Sequence, residues 1–266
     1  MTQPNELHTI NWIIENRIAR ITLSRPEVHN AFNDIMINEL LSAYQEIAIN
    51  KDVRVVVITG KGQSFCAGAD LNWMKRVKDY SYEQNLNEAL NLAELFYTMY
   101  TMPQPTIAKV NGAAIGGGTG LVAVNDIVIA SEKATFSLSE VKLGLVPACI
   151  SPYVLRRVGE RGCRELFLTG ERIDAHRAKE FGLANAVAKE EELDQVVDQK
   201  IKLLLTSGPQ AISICKELLQ KVPSMSYDQF KRYTAEVIAK LRISDEGQEG
   251  MNAFLEKRKP KWSHYD

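Results

Sequence analysis

Two stretches of small residues decide the fold, and the more informative one reads Asn111-Gly112-Ala113-Ala114-Ile115-Gly116-Gly117-Gly118-Thr119-Gly120. It follows an apolar run at residues 106–110. The second stretch, Ser64-Phe65-Cys66-Ala67-Gly68-Ala69-Asp70-Leu71, follows another apolar run at residues 54–59. Small side chains let backbone N–H groups come close to a ligand. If the two runs are neighbouring strands, one N–H group from each stretch can point at the same spot and stabilise the negative charge that develops on an acyl carbonyl oxygen.

Two other interpretations of the glycine-rich stretch are open. The glycines can simply permit tight turns. The spacing Gly118-x-Gly120-x-x-Ala123, with Glu140 beyond it where the ribose-binding acid would stand, also satisfies a dinucleotide-binding fingerprint. However, the next strand is predicted from Ile127, which leaves a helix of about two turns, whereas a crossover between parallel strands needs ~10–12 residues or more. The spacing therefore disfavours dinucleotide binding.

The composition narrows the class of protein further. The chain has 266 residues, of which 45% are hydrophobic, and a formal net charge of -1. The apolar content excludes a disordered chain, and the lack of a basic surplus disfavours binding to nucleic acid. The apolar run at residues 113–124 is too short to cross a bilayer, which takes ~20 residues. Residues 1–8 lack the apolar centre of a signal peptide, so we expect a cytoplasmic protein that does not bind membranes.

The residues most often found at metal and hydrolase sites are scattered. No two of the four cysteines have the spacing of metal ligands, and the four histidines lie far apart, at His8, His29, His176 and His264. The sequence contains no G-x-S-x-G, no HExxH and no Walker A motif. We therefore expect no metal site.

The pattern of apolar residues predicts strands and helices in alternation up to about residue 190 and helices alone after it, which indicates an α/β fold with a helical appendix. Residues 60–70 and 111–120 are predicted to be glycine-rich loops, the second followed by a short helix, and residues 71–87 a polar stretch. The predicted strands lie at residues 10–15, 18–23, 54–59, 106–110, 127–130, 135–137 and around 186–187. The predicted helices begin at about residues 33, 88, 174, 193, 209, 226 and 244.

Further motifs occur in a fixed order around the two small-residue stretches. The ordered set resembles the crotonase (enoyl-CoA hydratase/isomerase) superfamily over about residues 10–262. The motifs that carry the resemblance are Leu23-Ser24-Arg25-Pro26, Asn30-Ala31, Phe65-x-Ala67-Gly68-Ala69-Asp70-Leu71, Asn111-Gly112-x-Ala114-x-Gly116-Gly117-Gly118, Asn125-Asp126-Ile127, Glu140-Val141-Lys142-Leu143-Gly144-Leu145-Val146-Pro147, Leu168-Thr169-Gly170-Glu171-Arg172-Ile173 and Glu249-Gly250-x-x-Ala253-Phe254-Leu255-Glu256-Lys257-Arg258.

This resemblance implies a spiral of ββα repeats at residues 1–195 and a C-terminal helical trimerisation region at residues 196–266. It implies a homo-oligomer, either a trimer or a dimer of trimers. The substrate would be an acyl-CoA thioester, and coenzyme A would belong to that substrate, so no separate cofactor is expected.

The resemblance also implies roles for individual residues. The backbone N–H groups of Ala69 and Gly117 would form the oxyanion hole, and Glu140 would be the catalytic side chain. The residues expected to line the site for substrate and CoA are Arg25, Val28, Asn30, Ala31, Ala67, Gly68, Asp70, Leu71, Asn72, Gly116, Gly120 and Pro147.

One departure from the family pattern lies at Gly120. Two-carboxylate hydratases of the family carry a glutamate there and a second one further along, which this chain keeps as Glu140. Gly120, together with Ile150-Ser151-Pro152-Tyr153, looks most like bacterial hydratases of the methylglutaconyl-CoA hydratase type, which act on branched, carboxylated acyl-CoAs. Two carboxylates ~4 Å apart repel each other by several kcal/mol at intermediate dielectric. A glycine would therefore remove the repulsion of a substrate carboxylate and open space for it.

Three functions remain as hypotheses. In a hydratase, ionised Glu140 would take a proton from the water that adds to the β-carbon. In a Δ3,Δ2-enoyl-CoA isomerase, the same glutamate would move a proton between two carbons, and several isomerases of this family retain only that glutamate. A non-catalytic scaffold or RNA-binding member is the third, and the intact glycine run with Glu140 weighs against it.

Overall fold

The structure, a computed structural model, describes residues 7–263. Residues 1–6 of the predicted spiral and residues 264–266 of the predicted C-terminal region, including His264, lie outside the described residues. The larger of two sheets is built from β1 (Ile10–Glu15), β2 (Ile18–Leu23), β3 (Val55–Gly60), β5 (Thr106–Val110), β7 (Ile127–Ser131) and β10 (Ala186–Ala188), in that spatial order. β1 and β2 form the predicted hairpin, and the other neighbouring strands pair in parallel.

The smaller sheet corrects the prediction of two loops. It contains β4 (Ser64–Cys66), β6 (Ala113–Ile115), β8 (Thr135–Ser137) and β9 (Arg172–Asp174). Residues 60–70 and 111–120 were expected to be loops, which is wrong at β4, at β6 and at the first turn of α4 (Gly117–Ala123). Each of these strands is only 3 residues long, so neither can show the alternation that marks a strand.

The helices begin and end close to the predicted residues, with two exceptions. α1 begins as expected, because the side chain of Asn33 accepts a hydrogen bond from the Met36 amide. The polar stretch 71–87 is in fact largely helical, and a helix at residues 151–169 was not predicted. The helices are α1 (Asp34–Ile49), α2 (Leu71–Val77), α3 (Tyr82–Tyr100), α4 (Gly117–Ala123), α5 (Ser151–Thr169), α6 (Ala175–Glu180), α7 (Leu193–Leu205), α8 (Pro209–Lys221), α9 (Tyr227–Ile243) and α10 (Asp245–Leu255).

The chain order confirms the predicted spiral of ββα repeats. Three pairs of consecutive strands, β3–β4, β5–β6 and β7–β8, each give one strand to the larger sheet and the next strand to the smaller one. After each pair the chain enters a helical segment before it returns to the larger sheet. The two sheets therefore grow side by side, and the ends of β4 and β6 lie next to each other.

β3, in the middle of the larger sheet, is buried on both faces, as its continuous apolar run predicted. Val56 and Ile58 belong to the main core, which also contains the buried side of α1. Val55 and Val57 point to the opposite face, where α7 covers them with Val197 and other apolar side chains. Because side chains alternate between the two faces of a strand, β3 packs on the main core with one face and on α7, the first helix of the C-terminal region, with the other.

The C-terminal helices differ in how they contact the spiral. The predicted boundary between residues 195 and 196 falls within α7, and the division of the chain into two regions stays a prediction. α8 is attached by Lys216, whose Nζ donates to Asp126 Oδ2 at 2.6 Å and to the Gln104 carbonyl at 2.9 Å. α9 buries none of its residues. Large apolar residues of α9 and α10 are exposed, namely Tyr227, Ile238, Ile243, Met251, Phe254 and Leu255.

Within residues 7–263, none of the helices combines the length and the apolar character that crossing a membrane requires.

We predict that a second copy of this chain covers the exposed apolar residues of α9 and α10, because exposed apolar patches on a folded protein mark interaction surfaces. Phe254, which is 83% exposed, should then contribute to assembly. Light scattering on the full-length protein should give a multiple of the chain mass, and Phe254→Glu should lower it. A chain truncated before Ser226 should lose assembly and affinity for CoA together.

Asn252→Asp is the matched control for Phe254→Glu. It adds the same charge on the same helix at an exposed polar position, and it should leave the mass unchanged. A monomer mass for the unaltered full-length protein would refute the predicted assembly.

Candidate active site

A cavity of about 370 Å³ opens where the ends of β4 and β6 meet the segment 139–150. Its walls come from residues 67–69, residues 115–117, α2 and that segment. Most of the wall is apolar and includes Trp73, Met74, Leu92, Leu145 and Ile150. Ligand sites in proteins are commonly apolar clefts with a few convergent polar groups. The cavity is therefore the candidate active site.

The first backbone donor is the N–H group of Ala69. Phe32 forms a parallel bridge to this residue: its N–H donates to the Gly68 carbonyl at 2.8 Å, and its carbonyl accepts from the Asp70 N–H at 2.9 Å. In extended backbone, neighbouring N–H groups point to opposite sides. The N–H of Ala69 therefore points away from Phe32, and Ala69 lines the cavity.

The second backbone donor is the N–H group of Gly117, the first residue of α4. The first amides of a helix have no partner within it, and here the bond from Gly120 N–H to the Gly116 carbonyl is the earliest one. Gly116 has a φ of +54° and a ψ of -122°, a conformation that requires glycine. This sharp turn between β6 and α4 leaves Gly116 and Gly117 in the cavity wall.

Glu140 provides the carboxylate of the cavity. It lies on the short 3-10 turn Ser139–Leu143, and its Oε1 atom lies 3.1 Å from the point that a Cβ atom at Gly116 would occupy. Its Oε2 atom is buried and has no hydrogen-bond partner among the described residues. Burial raises the pKa of this carboxyl. Among the described residues that line the cavity, it is the single aspartate, glutamate, lysine, arginine or histidine.

The arrangement can therefore do two things next to each other. Two amides that share one cavity wall can stabilise negative charge on a carbonyl oxygen. An acid with a raised pKa and an unbonded oxygen can take up or release a proton beside that carbonyl. The geometry suits a reaction in which an acyl group passes through an enolate.

The structure places the other residues predicted for the site in two groups. Ala67, Gly68, Leu71, Gly116 and Pro147 line the cavity together with Ala69, Gly117 and Glu140. The others lie outside its lining: Arg25, Val28, Asn30, Ala31, Asp70, Asn72 and Gly120. Their contacts with CoA stay predictions.

Arg25, Asn30 and Asp70 form a network behind the small-residue stretch at residues 64–71, which is the first of the two loops in chain order. The Arg25 guanidinium donates to Asp70 Oδ2 at 2.8 Å and to the Ala31 carbonyl at 2.6 Å. Asn30 is buried and donates to the Ser64 carbonyl at 2.8 Å. Burial alone would raise the pKa of Asp70, but the hydrogen bonds from Arg25 and from two amides of α2 hold it below its usual value. These contacts tie the segment 25–31 to β4 and to the start of α2.

Two further residues predicted for the site, Val28 and Asn72, lie beside this network. Val28 is half-buried at the end of the 3-10 turn Pro26–Val28, where its carbonyl accepts from the Ala31 amide at 3.0 Å. Asn72 is exposed in the first turn of α2, and its amide donates to Asp70 Oδ1 at 2.7 Å. Asn72 is thus accessible to a ligand that lies along the outside of the first loop.

Gly120 contradicts one expectation. Glycine at this position was expected to open space in the site, but Ile150 fills that space. A Cβ atom at Gly120 would lie 2.1 Å from Ile150 Cγ2 and 3.2 Å from Phe96 Cζ. Gly120 is buried within α4, and the cavity wall at this point is the aliphatic side chain of Ile150. The missing second carboxylate is therefore replaced by apolar packing.

Three aromatic and apolar residues of the wall were not predicted from the sequence. The rings of Phe32 and Trp73 pack at a tilt of 55° with their centroids 5.9 Å apart, and Ile150 packs on Gly120. Phe32 directly follows Asn30-Ala31 and Trp73 follows Asn72, so their nearness to the quoted motifs was the available signal. Nothing in the spacing of Ile150 indicated its contact with Gly120, which belongs to a different element much earlier in the chain.

These features are typical of one class of protein, the enzymes that act on acyl thioesters with backbone amides and a carboxylate in the same cavity. Comparison with known proteins gives the family. Residues 13–265 match the family model described as enoyl-CoA hydratase/isomerase. The chain therefore belongs to the enoyl-CoA hydratase/isomerase family, within the crotonase superfamily, and its substrate is an acyl-CoA.

Individual relatives agree with this assignment. Over 248 residues the chain is 36% identical to a putative enoyl-CoA hydratase of Thermus thermophilus, covering 93% of this chain and 98% of that protein. A crystal structure of an enoyl-CoA hydratase from Shewanella pealeana is 41% identical, with a TM-score of 0.94 and 97% of each chain covered. A putative enoyl-CoA hydratase/isomerase (crotonase) from Legionella pneumophila is 40% identical, with a TM-score of 0.90 over 97% of this chain and 100% of that one. These similarities favour an enzyme over a non-catalytic scaffold.

We predict that Gly117→Pro cuts kcat by ~10²–10³, because proline removes one N–H donor of the oxyanion hole. Proline is well accepted at the first position of a helix, and the N–H it removes takes no part in α4. Steady-state assays with purified variants measure the effect, and circular dichroism verifies the fold.

Gly117→Ala is the matched control for this change. It places a Cβ atom in the same position but keeps the N–H group. If folded Gly117→Pro turns over as fast as Gly117→Ala, the Gly117 amide is not a catalytic donor.

Proposed function

We propose that the protein adds water to the double bond of a 2-enoyl-CoA, with Glu140 as the single side chain that moves protons. The observation that carries the proposal is the position of Glu140, which shares the cavity wall with both candidate donors and keeps Oε2 free of hydrogen bonds among the described residues. Water addition needs a base at the β-carbon and stabilised charge at the thioester oxygen, and the cavity holds groups suited to each task.

The proposed steps use the groups of this chain as follows. The thioester oxygen accepts hydrogen bonds from the amides of Ala69 and Gly117. Ionised Glu140 takes a proton from water as the water oxygen bonds to the β-carbon, and the electrons of the double bond move onto the thioester oxygen. The α-carbon then accepts a proton from Glu140, which returns to its ionised form. The product is a 3-hydroxyacyl-CoA, and the chemistry needs no cofactor beyond the CoA that the substrate carries.

We propose a branched, carboxylated acyl group, such as that of 3-methylglutaconyl-CoA, as the substrate. The support is the charge of the cavity wall, in which the described residues place no second acid beside Glu140, because Gly120 and Ile150 occupy that region. A substrate carboxylate would then meet one negative charge instead of two. Since the described wall contains no cation, we expect that carboxylate to remain at the open, solvent-facing side of the cavity.

Isomerisation of a 3-enoyl-CoA is the second candidate function. A specific observation favours it: the aliphatic side chain of Ile150 lies against Gly120, so the described residues place no second acid on this side of the cavity to hold a water. A single glutamate can move a proton from the α-carbon to the γ-carbon without consuming water. The matching family is itself described as enoyl-CoA hydratase/isomerase.

A panel of acyl-CoAs followed by mass spectrometry separates the two functions. The panel contains 3-methylglutaconyl-CoA, crotonyl-CoA and a straight-chain 3-enoyl-CoA. We expect the mass of one water to be gained, with the highest kcat/KM for the carboxylated substrate. A moved double bond at unchanged mass, with no hydration of any member, would establish the isomerase, and a preference for crotonyl-CoA would refute the carboxylated substrate.

We predict that Glu140→Gln lowers kcat by ~10²–10⁴, the usual contribution of general acid–base catalysis. KM should change little, because the amide keeps the shape of the carboxylate and the predicted CoA contacts lie elsewhere. Glu94→Gln makes the same change at an exposed position of α3 and should have no effect. Retention of most of the activity by Glu140→Gln toward the whole panel would show that another group transfers the proton.

We predict that kcat/KM falls as the pH is lowered. Hydration requires ionised Glu140, and its pKa in the free enzyme is raised by burial. The value of kcat/KM should therefore fall on the acid side, with the midpoint above the usual glutamate value of 4.5. A single limb is expected, because Gly120 supplies no second acid to couple with Glu140. Two coupled steps in the acid limb would indicate another titrating group.

A further inference from the structure

Phe32 contacts both loops that carry the backbone donors of the candidate oxyanion hole. Its backbone holds the first loop, through the two hydrogen bonds to Gly68 and Asp70 that fix the direction of the Ala69 N–H. Its ring lies on the second loop, the small-residue stretch at residues 111–120. The three atoms nearest to a Cβ position at Gly117 all belong to the Phe32 ring, with Cζ at 2.3 Å and Cε1 at 2.4 Å.

The surroundings of Phe32 make it a rigid element. The residue is 4% exposed, and its ring packs against Trp73 at a tilt of 55° and a centroid distance of 5.9 Å. The Trp73 indole nitrogen donates to Glu88 on α3 at 3.0 Å, which fixes the position of the indole. The next residue, Asn33, caps α1, whose buried face lies in the main core. A displacement of the ring would therefore disturb several packed elements.

From these contacts we propose that Phe32 is a positioning residue, which sets the separation between the Ala69 and Gly117 amides by bonding to one loop and packing on the other. Oxyanion stabilisation depends on donors that are already in place before charge develops. A misplacement of ~1 Å can cost ~10²-fold in rate. This inference rests on the proposed function, because it assigns Phe32 to the same pair of donors.

The decisive measurement is the ultraviolet absorbance of a bound aryl-conjugated enoyl-CoA, a chromophore whose band moves to longer wavelength when its thioester oxygen accepts hydrogen bonds. The shift reports the two donors without any need for water addition. We expect a red shift with the unaltered protein and a clearly smaller shift with Phe32→Leu. kcat should fall ~10–10²-fold in that variant.

Phe181→Leu is the matched control. It removes the same atoms from a half-buried ring outside the cavity lining, so its shift and kcat should equal those of the unaltered protein. An unshifted band with the unaltered protein would overturn the oxyanion hole itself, and with it the proposed function. A normal shift that Phe32→Leu retains in full would overturn the role of Phe32 and leave the proposed function standing.

A second arm measures one further change in two backgrounds, so that a general loss of activity caused by Phe32→Leu cancels from the comparison. Gly117→Ala keeps the N–H donor but pushes a methyl group against the Phe32 ring, so it should lower kcat in the unaltered background. In the Phe32→Leu background the shorter side chain makes room, and the same change should cost several-fold less. Contacting residues show such non-additive effects, whereas independent ones do not. Equal losses in the two backgrounds would show that the ring does not set the position of Gly117.

Discussion

The candidate site depends on one constraint, the direct contact between the backbones of the two small-residue loops. A Cβ atom at Gly118 would lie 2.2 Å from the Cys66 carbonyl oxygen, and one at Gly68 would lie 2.8 Å from the Ile115 carbonyl oxygen. Neither gap admits a side chain, so α4 can rest on the end of β4 only because glycine occupies these positions. This close approach places the amide of Gly117 in the same cavity wall as the amide of Ala69. The glycine run therefore permits the close packing of α4 on the end of β4, as well as the sharp turn between β6 and α4.

The second requirement is a carboxylate held in an apolar wall. Taking a charged carboxylate out of water costs free energy, which the pKa of Glu140 reflects by its upward shift. The 3-10 turn at residues 139–143 and the unusual backbone of Gly116 bring Glu140 against the second loop. A fold that was optimised for stability alone would place an apolar or hydrogen-bonded residue there. An unbonded buried oxygen is instead what a proton acceptor needs, because a fixed partner would compete with the substrate.

How much of this could be predicted from the sequence depends on the range of the interactions involved. The hairpin β1–β2, the start of α1 at Asn33 and the burial of β3 on both faces follow from local patterns, and they were predicted correctly. β4 and β6 are very short, and their stability comes from pairing with each other, which no local pattern records. The nearness of Ala69, Gly117 and Glu140 was inferred from the family resemblance, because it arises from strand pairing between segments far apart in the chain. The contact of Phe32 with Gly117 is of the same long-range kind and had no sequence signal beyond a neighbouring motif.

The contact between Gly120 and Ile150 explains why the departure from the two-glutamate pattern involves more than one residue. Gly120 has no space for a side chain, because Ile150 and Phe96 already fill it. A glutamate at position 120 could enter the cavity only if residue 150 became much smaller. The two positions are distant in sequence but share one space. Residue 120, on α4, must be small because residue 150, just before α5, is large. Packing thus favours the single-carboxylate site: an aliphatic side chain in that space contributes apolar burial, whereas a second acid would add a buried charge. The chemistry assigned to Glu140 alone is in this sense a consequence of how the core closes behind the cavity.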